Sequence, residues 1–216
     1  MKFLKNIFRK KPIIMINFKT YRQGKAVIQL AKTIERVNKN IIIGVQPTDI
    51  YEMTKKTCLR VFSEHTDPFT PGRHTGFVIP EAIKQDGATG TFLNHSEHKL
   101  KFSILKKTIQ RCKKLNLKTI VFAKNLNEAK KISKLKPTFI ALEPPELIAG
   151  KISISQANPD LIKRVIKEIK INLLVGAGVN NKKDVQIAKK LGAKGILVSS
   201  AVLKSSNPEK IIKELL

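Results

Sequence analysis

From position 12 onward, short apolar runs rich in β-branched residues alternate with longer stretches whose apolar residues recur every three or four positions. The runs at 13–16, 41–45, 59–63, 90–93, 119–122, 139–142, 173–175 and 195–198 are short and lack helical spacing. Each predicts a buried strand. Between them, 26–37, 100–115, 126–135, 159–169 and 182–191 carry the period of helices packed on one face. No Ser/Gly-rich linker interrupts the alternation. Eight strands with intervening helices predict an α/β fold, a closed (β/α)8 barrel. An open doubly wound sheet is the alternative, but no GxGxxG turn follows the first strand.

Length fits this reading: 216 residues suffice for one large core. The division expected is a basic N-terminal extension, residues 1–11, followed by a single barrel domain, residues 12–216. The opening MKFLKNIFRKKP makes a poor secretory signal, because Lys5 breaks its apolar run and no small-residue cleavage site follows. No apolar run approaches the ~20 residues of a membrane span, so no membrane partner is expected. Cys58 and Cys112 lack CxxC spacing, which argues against a disulfide framework or a cysteine zinc site. Both are expected as packing residues in a cytoplasmic protein.

Charge adds a competing reading. Against 42 Lys and Arg stand 16 Asp and Glu, a formal charge of +26. Such a field attracts phosphates and carboxylates and makes nucleic-acid binding an alternative function. The lysines are spread over many predicted helices, however, and no aromatic RNA-reading motif accompanies them. A solvated basic surface without a specific nucleic-acid partner is the reading they support.

In a barrel of this kind chemistry sits where strands end. The sixth predicted strand leads into FIALEPPELIAG, and Pro144 biases Glu143 away from helical backbone. A carboxylate there is either a solvated strand end or a base at the barrel mouth, with Glu146 to Gly150 as a foldable lid. Asn17 and Lys19, two apart after the first strand, would share one side of an extended chain. His95, in Asn94-His95-Ser96-Glu97, precedes a predicted helix for which Asn94 or Ser96 could serve as cap. That helix start would favour a neutral imidazole. His95 and His98 show no recognisable zinc spacing with the remaining histidines, so no metal is expected. Gly176-Ala177-Gly178 and Ser199-Ser200-Ala201 follow strands seven and eight, where backbone N–H groups and helix starts can cradle a phosphate.

These motifs, in this order and at these strand ends, resemble the triosephosphate isomerase family, particularly its shorter archaeal type. The likeness covers position 12 to the C-terminus. It implies cofactor-free interconversion of dihydroxyacetone phosphate and D-glyceraldehyde 3-phosphate, in glycolysis and gluconeogenesis. By resemblance, Glu143 is the base, His95 the electrophile, Lys19 the cation offsetting substrate charge, Asn17 a positioning amide, and Glu97 the carboxylate beside the lysine. Ile148, Gly178, Ser199 and Ser200 match the family's phosphate-binding positions. The segment from Glu64 to Gly76 looks like the family's third loop, which brings a threonine, here Thr75, to a neighbouring subunit. A homodimer or homotetramer is therefore implied. Ala149-Gly150-Lys151 departs from the usual lid tip, Ala201 replaces a usual glycine, and Glu64 stands where glutamine is usual. Another phosphate-handling barrel enzyme is the nearest alternative.

Overall fold

The computed structural model describes residues 12–148, 150 and 152–216. Eight strands, β1 (Ile13–Asn17), β2 (Ile42–Val45), β3 (Arg60–Ser63), β4 (Gly90–Leu93), β5 (Lys118–Ala123), β6 (Phe139–Leu142), β7 (Asn172–Val175) and β8 (Gly195–Val198), form a closed barrel in chain order. All neighbours pair in parallel, and Ile13 beside Gly195 with Ile16 beside Val198 closes the ring. The predicted (β/α)8 architecture is the observed one. Every predicted strand is present, with ends moved by a residue at most.

The five predicted helices appear as α1 (Lys25–Val37), α4 (Phe102–Lys114), α5 (Leu126–Ser133), α7 (Pro159–Glu168) and α8 (Lys182–Lys190). Five more were not in that prediction: α2 (Ile50–Lys56), α3 (Pro80–Gln85), α6 (Ile154–Ala157), α9 (Ser200–Leu203) and α10 (Pro208–Leu215). Four of these are too short for a hydrophobic period to register. For α10 a sequence signal exists: Asn207 caps it, accepting from the Lys210 N–H at 3.0 Å, and Pro208 opens it.

Two apolar clusters result from the alternation of side chains along each strand. Ile13, Met15, Phe62, Phe92, Phe122 and Leu197 belong to the cluster inside the barrel, whereas the larger cluster lies between strands and helices. Phenylalanine rings need room, and glycines on neighbouring strands supply it. A Cβ on Gly90 would fall 2.2 Å from the Phe62 ring, and one on Gly44 equally close to Phe92. Of the two cysteines, Cys112 is buried as expected, but Cys58 is exposed. Cys58 sits in the short connection between α2 and β3, where the backbone N–H is held by Glu35 at 2.5 Å and the side chain faces solvent.

Candidate active site

The period of two that fills the barrel continues past the strand ends. Ile13 and Met15 lead to Asn17, Phe139 and Ala141 to Glu143, Leu174 to Gly176, and Leu197 to Ser199. The site is thus built on the top layer of the core. Asn17, His95 and Glu143 are all buried.

Three non-glycine residues at these ends adopt left-handed backbone: Lys19 (φ 48°), Asn94 (φ 61°) and Ala177 (φ 65°). Each conformation costs an L-residue roughly 1–2 kcal/mol and is kept only where surroundings enforce it. At Asn94 the enforcement is visible. Its amide donates to the Phe122 carbonyl at 2.9 Å and to Glu128 at 3.0 Å, and its Oδ1 accepts from the Leu100 N–H at 3.1 Å. Asn94 therefore braces the loop rather than capping a helix, since α4 begins only at Phe102 and has no side-chain cap. The turn sets His95 over Phe122, edge to face at 4.6 Å. At Lys19 the turn departs from the expected extended chain: β1 stops at Asn17, whose Oδ1 accepts from the Lys19 N–H at 3.1 Å.

The Glu97 backbone N–H donates to His95 Nδ1 at 3.1 Å. That nitrogen is then an acceptor, so the ring is neutral and its proton sits on Nε2. The neutral form is held by a peptide N–H, not by a helix start. Nε2 lies 3.1 Å from Glu143 Oε2, yet the two are not aligned as a hydrogen bond, and both are buried polar atoms without a hydrogen-bond partner. Unsatisfied buried groups cost free energy, and a facing pair marks a place built for something else. Glu97 also joins the first strand's end to the fourth's, with its carboxylate 2.6 Å from Lys19 Nζ.

A cleft of about 470 Å³, partly open to solvent, is lined by Lys19, Glu143, Ile148, Gly178, Ser199 and Ser200, among others. Ser199 Oγ is buried without a partner, like the Glu143 and His95 atoms. Ala201, the departure in the phosphate turn, lines the same cleft. Of the departing lid tip, Gly150 is also at the cleft, while Ala149 and Lys151 lie outside the described residues. Thr75 is exposed on the long loop after β3 and is not among the cleft residues. His98 stacks on His65 at 4.2 Å. Among the described residues, no group of three or more His, Cys, Asp or Glu is placed to hold a metal ion.

Asp184 is a site-supporting residue that the sequence motifs did not mark. Fully buried, its Oδ1 accepts from Ser153 Oγ at 2.7 Å and Gln156 at 2.5 Å, and its Oδ2 accepts from the Asn180 N–H at 2.9 Å. It ties the trailing end of the lid segment to the Gly178 turn. The one sequence clue is its place three residues after Asn181, whose side chain caps α8. Gly176 matters differently: a Cβ there would stand 2.8 Å from Glu143 Oε1. Gly176→Ala should lower kcat by about 10- to 100-fold with unfolding unchanged, since it would displace the carboxylate expected to act as the base. Steady-state kinetics beside a urea melt would check this; wild-type kcat would show the carboxyl position to be unimportant.

A sequence model of the triosephosphate isomerase family matches residues 12–215. A triosephosphate isomerase of Saccharolobus solfataricus is 41% identical over 217 residues, covering 96% of each chain. One from Methanocaldococcus jannaschii is 40% identical over 215 residues, covering 94% of this chain and 98% of its own. With these matches spanning the barrel and every strand end that lines the cleft, the chain belongs to the triosephosphate isomerase family.

Proposed function

We propose that Glu143, His95, Lys19 and Asn17 carry the family's aldose–ketose interconversion in this chain. The supporting observation is the buried, unbonded pair of Glu143 Oε2 and His95 Nε2. Glu143 removes a proton from C1 of dihydroxyacetone phosphate, and the electrons of that C–H bond form the enediolate C=C as charge moves to the C2 oxygen. His95 Nε2–H donates to that oxygen. The hydroxyl proton on the C1 oxygen passes to the C2 oxygen by way of His95, and return of the carbon-bound proton from Glu143 to C2, as the C1–O bond becomes the aldehyde, gives D-glyceraldehyde 3-phosphate. Base and neutral histidine divide the work as the family is known to do. At 3.1 Å the two groups leave no space for a carbon skeleton between them. Substrate must part them.

Lys19, paired with Glu97, offsets substrate charge, and Asn17 holds the lysine's backbone. The phosphate is assigned to Ile148, Gly178, Ser199 and Ser200. Closure of the lid over it would exclude water from the enediolate. The purified chain assayed in both directions tests the whole reading: interconversion of the two triose phosphates is expected, and none in either direction overturns it. Preference for a larger phosphorylated sugar in that assay would favour another phosphate-handling barrel.

Residues 12–216 are taken as one catalytic domain, with residues 1–11 as an extension outside the described structure. Cytoplasmic location fits the free cysteines. No described helix is long and apolar enough to cross a membrane. A homodimer or homotetramer is favoured by the loop after β3, where Thr75 and Phe77 are exposed beside the stacked rings of Phe69 and His74. Light scattering should return at least twice the 24.2 kDa chain mass; a monomer would refute the interdigitating-loop assignment.

A further inference from the structure

Tyr21, Arg22 and Lys204 make a cluster at the cleft that the proposed reaction leaves unused. Tyr21 lines the cleft beside Lys19, Ser200 and Ala201. It belongs to the turn after β1, which closes where the Tyr21 N–H donates to the Phe18 carbonyl at 3.4 Å. The Lys204 ammonium lies over the Tyr21 ring, 5.5 Å from its centroid. Beside Tyr21, Arg22 Nη2 donates at 3.3 Å to the Leu203 carbonyl, in the peptide that leads into Lys204. One turn therefore grips Lys204 through its backbone and through its side chain.

Local structure also aims that ammonium. Lys204 follows α9 in helical backbone, and its N–H donates to the Ser200 carbonyl at 3.0 Å. Residues four apart in such a turn share one face, one above the other. Helical side chains lean toward the start of their helix, which carries the Lys204 stem back over Ser200. Its resting place on Tyr21, a ring of the cleft wall, is where that lean ends.

The charge balance of the cleft gives this placement a use. A phosphate monoester carries about −1.5 to −2 charge at pH 7, and the enediolate adds more on the C2 oxygen. Lys19 shares its charge with Glu97, 2.6 Å away, and backbone N–H groups bring no net charge. Lys204 is exposed, and among the described residues no carboxylate pairs with it. An exposed cation–π contact is weak, whereas an ammonium on a phosphate oxygen forms a charge-assisted hydrogen bond. The dianion is thus the better partner.

We propose that Lys204 is a substrate-binding residue, a second cation that leaves the Tyr21 ring to pair with the phosphate, with Tyr21 and Arg22 as the positioning residues that keep it at the cleft. The inference rests on the assignment of this cleft to triose phosphate. Among 42 Lys and Arg no spacing singles out Lys204; its place one turn past Ser200 and against the β1 turn does.

The test is Lys204→Gln, measured by calorimetric titration of inorganic phosphate and by steady-state kinetics in both directions. Phosphate binding should weaken about tenfold and KM rise to the same degree, with kcat lowered by less than about threefold, because the lost contact is to the phosphate and not to the reacting carbons. The deficit should shrink as salt is raised, since an exposed charge is screened. Lys204→Arg should recover most of the affinity by returning the charge to the same place. Tyr21→Ala, which removes the ring that holds the ammonium, should weaken phosphate binding about two- to fivefold. A purely structural role would instead lower kcat and the urea midpoint together, without rescue by Arg. Phosphate affinity of Lys204→Gln within twofold of wild type, or no recovery in Lys204→Arg, overturns the proposal. A wild-type chain without isomerase activity would overturn the proposed reaction alone, and the phosphate titration would still decide the role of Lys204.

Discussion

Glu143→Gln is expected to lower kcat by about 10³-fold and leave the affinity for inorganic phosphate or a triose-phosphate analogue within a few-fold of wild type. Gln keeps the shape and burial of the side chain but cannot accept a proton from carbon, and a positioned general base contributes typically 10²–10⁴-fold. Binding is expected to persist because the anion is assigned to the Gly178 and Ser199 turns and to Lys19, none of which depends on the carboxylate's charge. Steady-state kinetics in both directions, paired with calorimetric titration of phosphate, separates the two effects. Activity within tenfold of wild type would remove Glu143 from the role of base. Loss of phosphate binding to the same degree would mean that the substitution disturbs the cleft rather than the proton transfer.

Glu64→Gln is expected to stabilise the fold, and to do so increasingly as pH rises. Burial pushes the Glu64 carboxyl up to about 8 from an ordinary 4.5, with the backbone and ammonium of Lys19 pulling it partly back and Asp49 and Glu97 adding to the rise. Its Oε1 is buried without a hydrogen-bond partner. The folded chain keeps this proton through a range in which the unfolded chain releases it. Stability is therefore lost as pH climbs from about 4.5 to about 8, at roughly 1.4 kcal/mol per pH unit when fully developed, and is level above that. Gln carries no titrating proton, so that portion of the slope should disappear. At pH 8.5 the variant should be more stable than wild type by a few kcal/mol, and near pH 4.5 the two should differ little. Urea unfolding at the two pH values decides the matter. Parallel stability curves would show that Glu64 ionises freely in the folded protein.

Glu64 also shows where reading of the chain stops. Its departure from the usual glutamine was visible in the sequence, but its consequence was not, because a carboxyl's cost depends on how much water and which charges surround it. His95 is similar. Its place at a strand end was legible, while the reason for its neutral ring was not, since a contact between the Glu97 N–H and Nδ1 belongs to a tight turn rather than to any spacing.

The sequence by itself determined the eight strands, their alternation with helices, and the side chains that end on the barrel mouth. The physical reason is that a strand's period of two and a helix's period near four are written residue by residue, and the alternation runs to Asn17, the last residue of β1, and to Glu143, one residue past β6. Tertiary structure alone decided the rest: that Glu143 and His95 meet at 3.1 Å, that Asp184 ties Ser153 and Gln156 to the Asn180 turn, and that Cys58 faces solvent. Each of these depends on distances between segments that closure of the barrel brings together, and no local pattern of apolar and polar residues encodes such a distance.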